Sequence, residues 1–293
     1  MQSTQSFILF LFAQAKRFPL KETVELGQLL GKSGHSVRAC VNRLARSGIL
    51  IREESSRRAA WYRLSPKGGT MADEIAVKFM RIHEIVERKH SWDGTWTLVS
   101  FDIPERVRKR RDELRSRLRE VGFGRLAGGV WIAPGDVSEF VKSLAESLRV
   151  NDRIMISLSR DVSLGGVPIA SAASRIWPFA ELNRKYRAMR SRLSRRIERM
   201  HSRLETGTPP DSREAFLELF IVYSEAAELI AQDPCLPEEL LPDDWLGLEV
   251  QDRIHEYFHM IHGLEQKDPH AFLLRLPPGL HIPLPRRNEG KSQ

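Results

Sequence analysis

Two cysteines, Cys40 and Cys235, are all that the 293 residues contain. They lie far apart and form no C-x-x-C pair, so zinc-finger and dithiol redox readings have no support. Low cysteine usage fits a reducing cytoplasm, the compartment expected for this chain. No apolar run is long enough to span a bilayer, which needs roughly 20 residues. The nearest is Phe7–Ala13, followed by Ala13-Gln14-Ala15 in the manner of a cleavage site. No Lys or Arg precedes that run, as a secretory leader would require, so it is read as a buried first helix. No membrane partner is expected. There is no Gly-rich phosphate loop, and no cofactor is expected.

What is abundant is charge, unevenly placed. The net charge is +8 and the pI about 9.7. Residues 1–90 hold 16 Lys/Arg against 8 Asp/Glu, whereas 205–270 hold 3 against 16. A basic front end makes a polyanion a natural partner. The densest basic run, Arg175 to Arg203, immediately precedes the acidic segment. It could track DNA phosphates or hold the phosphates of a coenzyme A ligand. Adjacency and opposite sign favour a third fate, packing against the acidic helices.

Periodicity and breakers give the elements. Helices are expected at 5–17, Val24–Leu30 and His35–Ser47, the last two joined by the turn Gly31-Lys32-Ser33-Gly34, with Leu20–Thr23 extended. Ile49–Arg52 and Trp61–Leu64 read as strands flanking a polar loop. Ser65-Pro66-Lys67-Gly68-Gly69 reads as a break, followed by a connector helix from about Met71 to Lys89. From Thr95 to Ser159 strands and helices follow in the order β-α-β-β-α-β, a ferredoxin-like unit. Gly165-Gly166-Val167-Pro168 reads as a linker, and helices follow at about 174–204, 211–232 and 247–265. The fold class is α+β. The domains are a winged helix-turn-helix at 1–69, a connector at 70–94, a ferredoxin-like domain at 95–162, and a helical domain at 174–276.

The third helix carries the DNA-binding argument. Val37, Val41 and Leu44 form one apolar stripe. The opposite stripe is His35, Ala39, Asn42 and Arg46, flanked by Ser36, Arg38 and Arg43. Arg and Asn suit bidentate contacts to guanine and adenine edges in the major groove. Lys32 and Ser33 sit where phosphate contacts form, and Arg57-Arg58 at the hairpin tip can meet the backbone or minor groove. Double-stranded operator DNA is the partner these residues suit.

Gly34-His35-Ser36-Val37-Arg38, Asn42-Arg43-Leu44 and Trp61-Tyr62-Arg63-Leu64-Ser65-Pro66-Lys67-Gly68 resemble the PaaX family of phenylacetic-acid catabolism repressors. The resemblance continues through Trp92-Asp93-Gly94-Thr95-Trp96, Ile103-Pro104-Glu105, Gly122-Phe123-Gly124 and Trp131-Ile132-Ala133-Pro134. It resumes at Asp233-Pro234, Leu236-Pro237, Leu240-Leu241-Pro242 and Asp244-Trp245. It implies the three domains above, a homodimer on a palindromic operator, and an acyl-CoA effector such as phenylacetyl-CoA. It implies no catalysis. The wing departs from a uniformly basic one, because Glu53-Glu54 precede Arg57-Arg58.

Two enzymatic alternatives remain open. Asp102 ends the first strand of the ferredoxin-like unit, which resembles small CRISPR-associated nucleases of that fold, and Glu105 follows one turn on; a metal-dependent nuclease would use such carboxylates. Otherwise Asp102 caps the next helix. His255-Glu256-Tyr257-Phe258-His259 matches H-E-x-x-H, with His262 on the same face, so a zinc hydrolase or a metal site is conceivable. Otherwise that helix simply buries Ile254, Phe258 and Ile261.

Overall fold

A computed structural model describes residues 3–15, 17–54, 59–72, 92–264 and 268–274. In chain order the elements are α1 Thr4–Gln14, β1 Phe18–Pro19, α2 Leu20–Leu29, α3 Gly34–Arg46, β2 Leu50–Glu54 and β3 Ala60–Leu64. A helix, α4, begins at 66 and is described to 72. Then come β4 Trp96–Phe101, α5 Arg108–Glu120, β5 Gly124–Ala127, β6 Val130–Pro134, α6 Ser138–Ser147 and β7 Ile154–Ser159. After these come β8 Ser163–Leu164, β9 Val167–Pro168, α7 Ile169–Ala172, α8 Phe179–Glu205, α9 Ser212–Ile230, α10 Gly247–His262 and a 3-10 turn at Ala271–Leu274. The α+β class expected from the sequence is what these elements form. They divide into two compact units, one of residues 1–81, 188–227 and 248–293, the other of 82–187 and 228–247.

In the first unit the apolar N-terminal run is a buried helix, as its composition implies. Phe7, Ile8 and Leu11 of α1 are fully buried, and Phe7 and Phe10 meet Phe220 and Phe216 of α9 at ring distances of 5.6 and 5.4 Å. Helix α2 begins four residues before the expected start. Pro19, extended at φ −79° and ψ 143°, takes the N-cap position, and the Thr23 hydroxyl donates to its carbonyl at 2.9 Å. The extended stretch expected at Leu20–Thr23 is therefore the first helical turn. Phe18 and Pro19 themselves add a third strand, giving the antiparallel order β1-β3-β2.

Ser65-Pro66 starts a helix where the sequence suggested a break. The Ser65 hydroxyl accepts from the Gly68 amide at 3.0 Å and donates to the Gly48 carbonyl at 2.6 Å, with proline at the first helical position. The turn packs so tightly on the residue preceding β2 that a Cβ on Gly68 would stand 2.2 Å from the Ile49 carbonyl oxygen. Most of the expected connector helix, its residues 73–89, lies outside the described residues.

In the same unit the basic run of α8 pairs with acidic helices, as charge and adjacency suggested. Arg192 meets Glu225 at 3.0 Å, Arg203 meets Glu214 at 2.8 Å, Arg190 meets Glu249 at 3.0 Å, and Arg196 pairs with Glu218.

The second unit holds the β-α-β-β-α-β order. Its four strands form an antiparallel sheet in the order β5-β6-β4-β7. Alternation along β4 and β6 feeds two cores. Val99 and Trp131 pack with Leu114 and Leu118 of α5 and Val141 of α6. Trp96 and Ile132 face the other way, onto Trp177, Leu236 and Leu240. The stretch expected as a linker is a β-hairpin: Ser163 and Leu164 pair with Pro168 and Val167. Gly165 and Gly166, at φ 59° and 79°, form the two-residue turn that needs positive φ at both positions.

Candidate nucleic-acid interface

The geometry of α3 is set by the helix before it. Gly27 of α2 lets Val37 approach so closely that a Cβ there would lie 2.6 Å from its side chain. Val37, Val41 and Leu44 are fully or almost fully buried against α1 and α2. That anchoring leaves His35, Ser36, Arg38, Ala39, Asn42, Arg43 and Arg46 exposed on the other side. The stripe read from 100° spacing is thus a solvent-facing row of hydrogen-bond donors and acceptors, with no acidic side chain on the helix to offset it.

Several members have local partners. Ser33 is the N-cap of α3, its hydroxyl accepting from the Ser36 amide at 3.1 Å. Lys32 is half-buried in the turn before it. Arg43 donates to Cys40 Sγ at 3.3 Å. Cys40 is buried, and that burial pushes its thiol pKa up despite the opposing charge of Arg43. It behaves as a small core residue, the expectation for a cysteine near the apolar stripe.

Behind the helix, β2 and β3 form a hairpin in the register Leu50↔Leu64 to Glu54↔Ala60. Glu53 is bound to Arg63 across it at 2.7 Å, so this carboxylate is already neutralised. Arg52 on β2 is exposed. Arg57 and Arg58 lie outside the described residues.

Periodicity alone missed the neighbour of α3 at its N-terminal half. Ser3, Thr4 and Ser6 of the α1 start face Ser36, Ala39 and Arg43 across a cleft of about 480 Å³. Thr4 and Ser36 hydroxyls stand 3.5 Å apart. These residues are separated by more than thirty positions, so no local signal joins them.

The candidate metal residues are not brought together. Among the described residues no group of three or more His, Cys, Asp or Glu side chains is placed to hold a metal ion. His255 is buried, and His262 Nδ1 lies 2.8 Å from the Leu274 carbonyl oxygen. Burial holds the His262 pKa below its ordinary value. Asp102 is exposed, and Glu105 turns away to Arg111 at 2.8 Å. Asp102 does not cap the following helix either. Pro104 takes the N-cap of the 3-10 turn Glu105–Val107, with no side-chain bond.

Three family models match in succession: "PaaX-like protein" over residues 3–68, "PaaX protein central Cas2-like domain" over 89–167, and "PaaX-like protein C-terminal domain" over 177–272. The chain belongs to the PaaX family. α3 and the β2–β3 hairpin fall inside the first of these PaaX matches, and the four-stranded sheet inside the second. A curated relative, "Transcriptional repressor PaaX" of Escherichia coli (strain K12), is 25% identical over 220 residues, 74% of this chain and 66% of the relative. The match thus spans just under two thirds of that PaaX protein. A solved structure, an uncharacterized protein from Mycobacterium tuberculosis, shares the fold at a TM-score of 0.52 and 20% identity. It covers 83% of this chain and 88% of its own. No helix among the described residues is long and apolar enough to cross a membrane.

Proposed function

We propose that this protein is a cytoplasmic, DNA-binding transcriptional repressor of a catabolic operon, released from its operator by an aryl-acyl-CoA such as phenylacetyl-CoA. The observation that carries the reading is α3: three buried apolar residues on one face, and His35, Arg38, Asn42, Arg43 and Arg46 exposed on the other. Helix, turn, helix and hairpin follow in the order of a winged helix-turn-helix. In that motif the second helix of the pair enters the major groove and the hairpin meets backbone. Membership of the PaaX family, and the repressor name of the E. coli relative, support repression as the direction of regulation.

On this reading Arg38 and Asn42 read base edges, while Lys32, Ser33, His35, Ser36, Arg46 and the hairpin arginines Arg57 and Arg58 position the duplex. The second unit, with strand order β5-β6-β4-β7, is a ferredoxin-like domain through which two copies form a homodimer. A dimer sets two recognition helices about one DNA turn apart, ~34 Å. The effector acts by binding one dimer geometry better than the other. The protein is a regulator without a catalytic centre of its own.

The test is fluorescence anisotropy on the DNA upstream of its own gene, at two salt concentrations, with and without phenylacetyl-CoA. Specific binding relieved by the thioester, but not by free coenzyme A or phenylacetate, is the expected result. Binding that is steep in salt and indifferent to sequence would sink the repressor reading.

A further inference from the structure

We infer that the effector's acyl group is received by a cleft of about 270 Å³ in the first unit, between the end of α2 and helices α8, α9 and α10. The inference rests on the effector reading above and adds the place and the means of recognition. The floor is apolar: Met200, Leu217 and the ring of Tyr257 are all at least nine-tenths buried. One wall is Leu29, which stands 65% exposed although it is a large hydrophobic. A leucine left in water beside an apolar slot loses free energy that a ligand's hydrocarbon would recover.

The rim is cationic, and its cations are not equivalent. Arg196 is committed to Glu218, which also accepts from the Tyr257 hydroxyl at 3.0 Å. Arg203 is committed to Glu214 at 2.8 Å. Arg199, between them on α8, is exposed and lines the same cleft, and among the described residues it has no ion pair or hydrogen bond. A guanidinium with its donors unused suits a phosphate or carboxylate oxygen. An apolar slot with one uncommitted guanidinium at its mouth selects an amphiphilic anion. An acyl chain would enter the slot and a phosphate of the carrier would meet Arg199.

The position gives the site a route to DNA. Leu29 and Leu30 end α2, and Ser33, three residues later, caps α3. α2 in turn holds α3 through the Gly27–Val37 contact. A ligand that moves Leu29 and Leu30 therefore acts on the segment that sets the angle of α3. The larger cleft beside α3 mixes the hydroxyls of Ser3, Thr4, Ser6 and Ser36 with Leu9 and Met71, and its arginine is already bonded to Cys40; it opens beside Ser36, Ala39 and Arg43 on the exposed side of α3, so an occupant there would compete with the duplex itself.

The experiment measures operator affinity and phenylacetyl-CoA release for the full-length wild type, Arg199→Ala and Leu29→Ala. Both positions are exposed, so both variants keep their fold. Calorimetry of phenylacetyl-CoA binding without DNA accompanies each. Both variants should hold the operator within about twofold of wild type. Arg199→Ala should need about tenfold more thioester for half-release and for half-saturation, the loss of one charge-assisted bond. Leu29→Ala should shift both in the same direction. Release of both variants at the wild-type concentration overturns the site while leaving the effector reading intact. A wild type that holds the operator but neither binds nor responds to the thioester overturns the effector reading, and the site with it. Loss of operator affinity in Arg199→Ala would make that residue a DNA contact and also overturn the site.

Discussion

Single side chains in this protein are governed by burial more than by motif. The H-E-x-x-H match places His255 in the core, and His262 against the Leu274 carbonyl. The spacing was legible, but the burial that decides its meaning was not. Burial, with the charge of His259 acting in the same direction, lowers the folded-state pKa of His262 below the ordinary ~6.5. The unfolded chain then takes up its proton first as pH falls. Stability from this group is complete above about pH 6.5, declines as pH falls toward the folded value, and levels off beneath it. Thermal melts at pH 7.5 and 5.5 should show a smaller drop in Tm for His262→Gln than for wild type. An equal drop would place the sensitivity elsewhere. Tyr186 is a second case. It is fully buried, its hydroxyl donates to the buried Asp233 carboxylate, and burial raises its pKa well above the ordinary range. It stays a neutral donor at any working pH. Tyr186→Phe removes the donor and leaves Asp233 with the Cys235 amide at 2.7 Å. A loss of about 1–3 kcal/mol in urea unfolding is expected, the cost of a buried acceptor left short.

Elements were read well where periodicity is strong and poorly where a single cap decides. The apolar face of α3 and the strand pair β4 and β6 were legible because burial repeats at 3.6 or 2 residues. The start of α2 was not, because Lys21-Glu22-Thr23 following a proline gives no apolar rhythm until Val24. The helix starts earlier because Pro19 takes the cap and Thr23 closes it. The Gly165-Gly166 hairpin was read as a linker because strands of two residues carry no alternation to detect. Ser65-Pro66 was read as a break for a related reason: the same residues that break a chain also begin a helix. That helix start can be tested. Ser65→Ala removes the cap to Gly68 and the bond to Gly48 together, with an expected cost of about 1–2 kcal/mol. Gly68→Ala drives a methyl onto the Ile49 carbonyl oxygen and should cost more. Chemical denaturation that ranked the two in the opposite order would mean the turn relaxes away from β2.

For the molecule as a whole, the question is whether its positive charge recognises a sequence or merely a polyanion. The net charge of +8 is legible without any structure, but much of the basic run on α8 is spent on Glu214, Glu218, Glu225 and Glu249. The cations left for DNA are therefore fewer than composition suggests, and α3 presents Arg38, Arg43 and Arg46 on one exposed side with no acidic residue on the helix. The cleft under Leu29 was not legible, since it gathers residues from 29 to 257. Discrimination between specific and general binding lies in two substitutions on the exposed face of α3. Asn42 can make a bidentate contact to adenine, so Asn42→Ala should cost about 1–3 kcal/mol on the operator. It should relax preference at one base pair, and leave the salt dependence unchanged. Arg46, at the end of the helix, is placed for phosphate. Arg46→Ala should weaken operator and random DNA alike, and reduce the slope of log affinity against log salt by about 1. The two variants should thus separate on a plot of operator affinity against random-sequence affinity. If instead Asn42→Ala weakens both DNAs equally, α3 does not read bases and the protein grips DNA by charge alone.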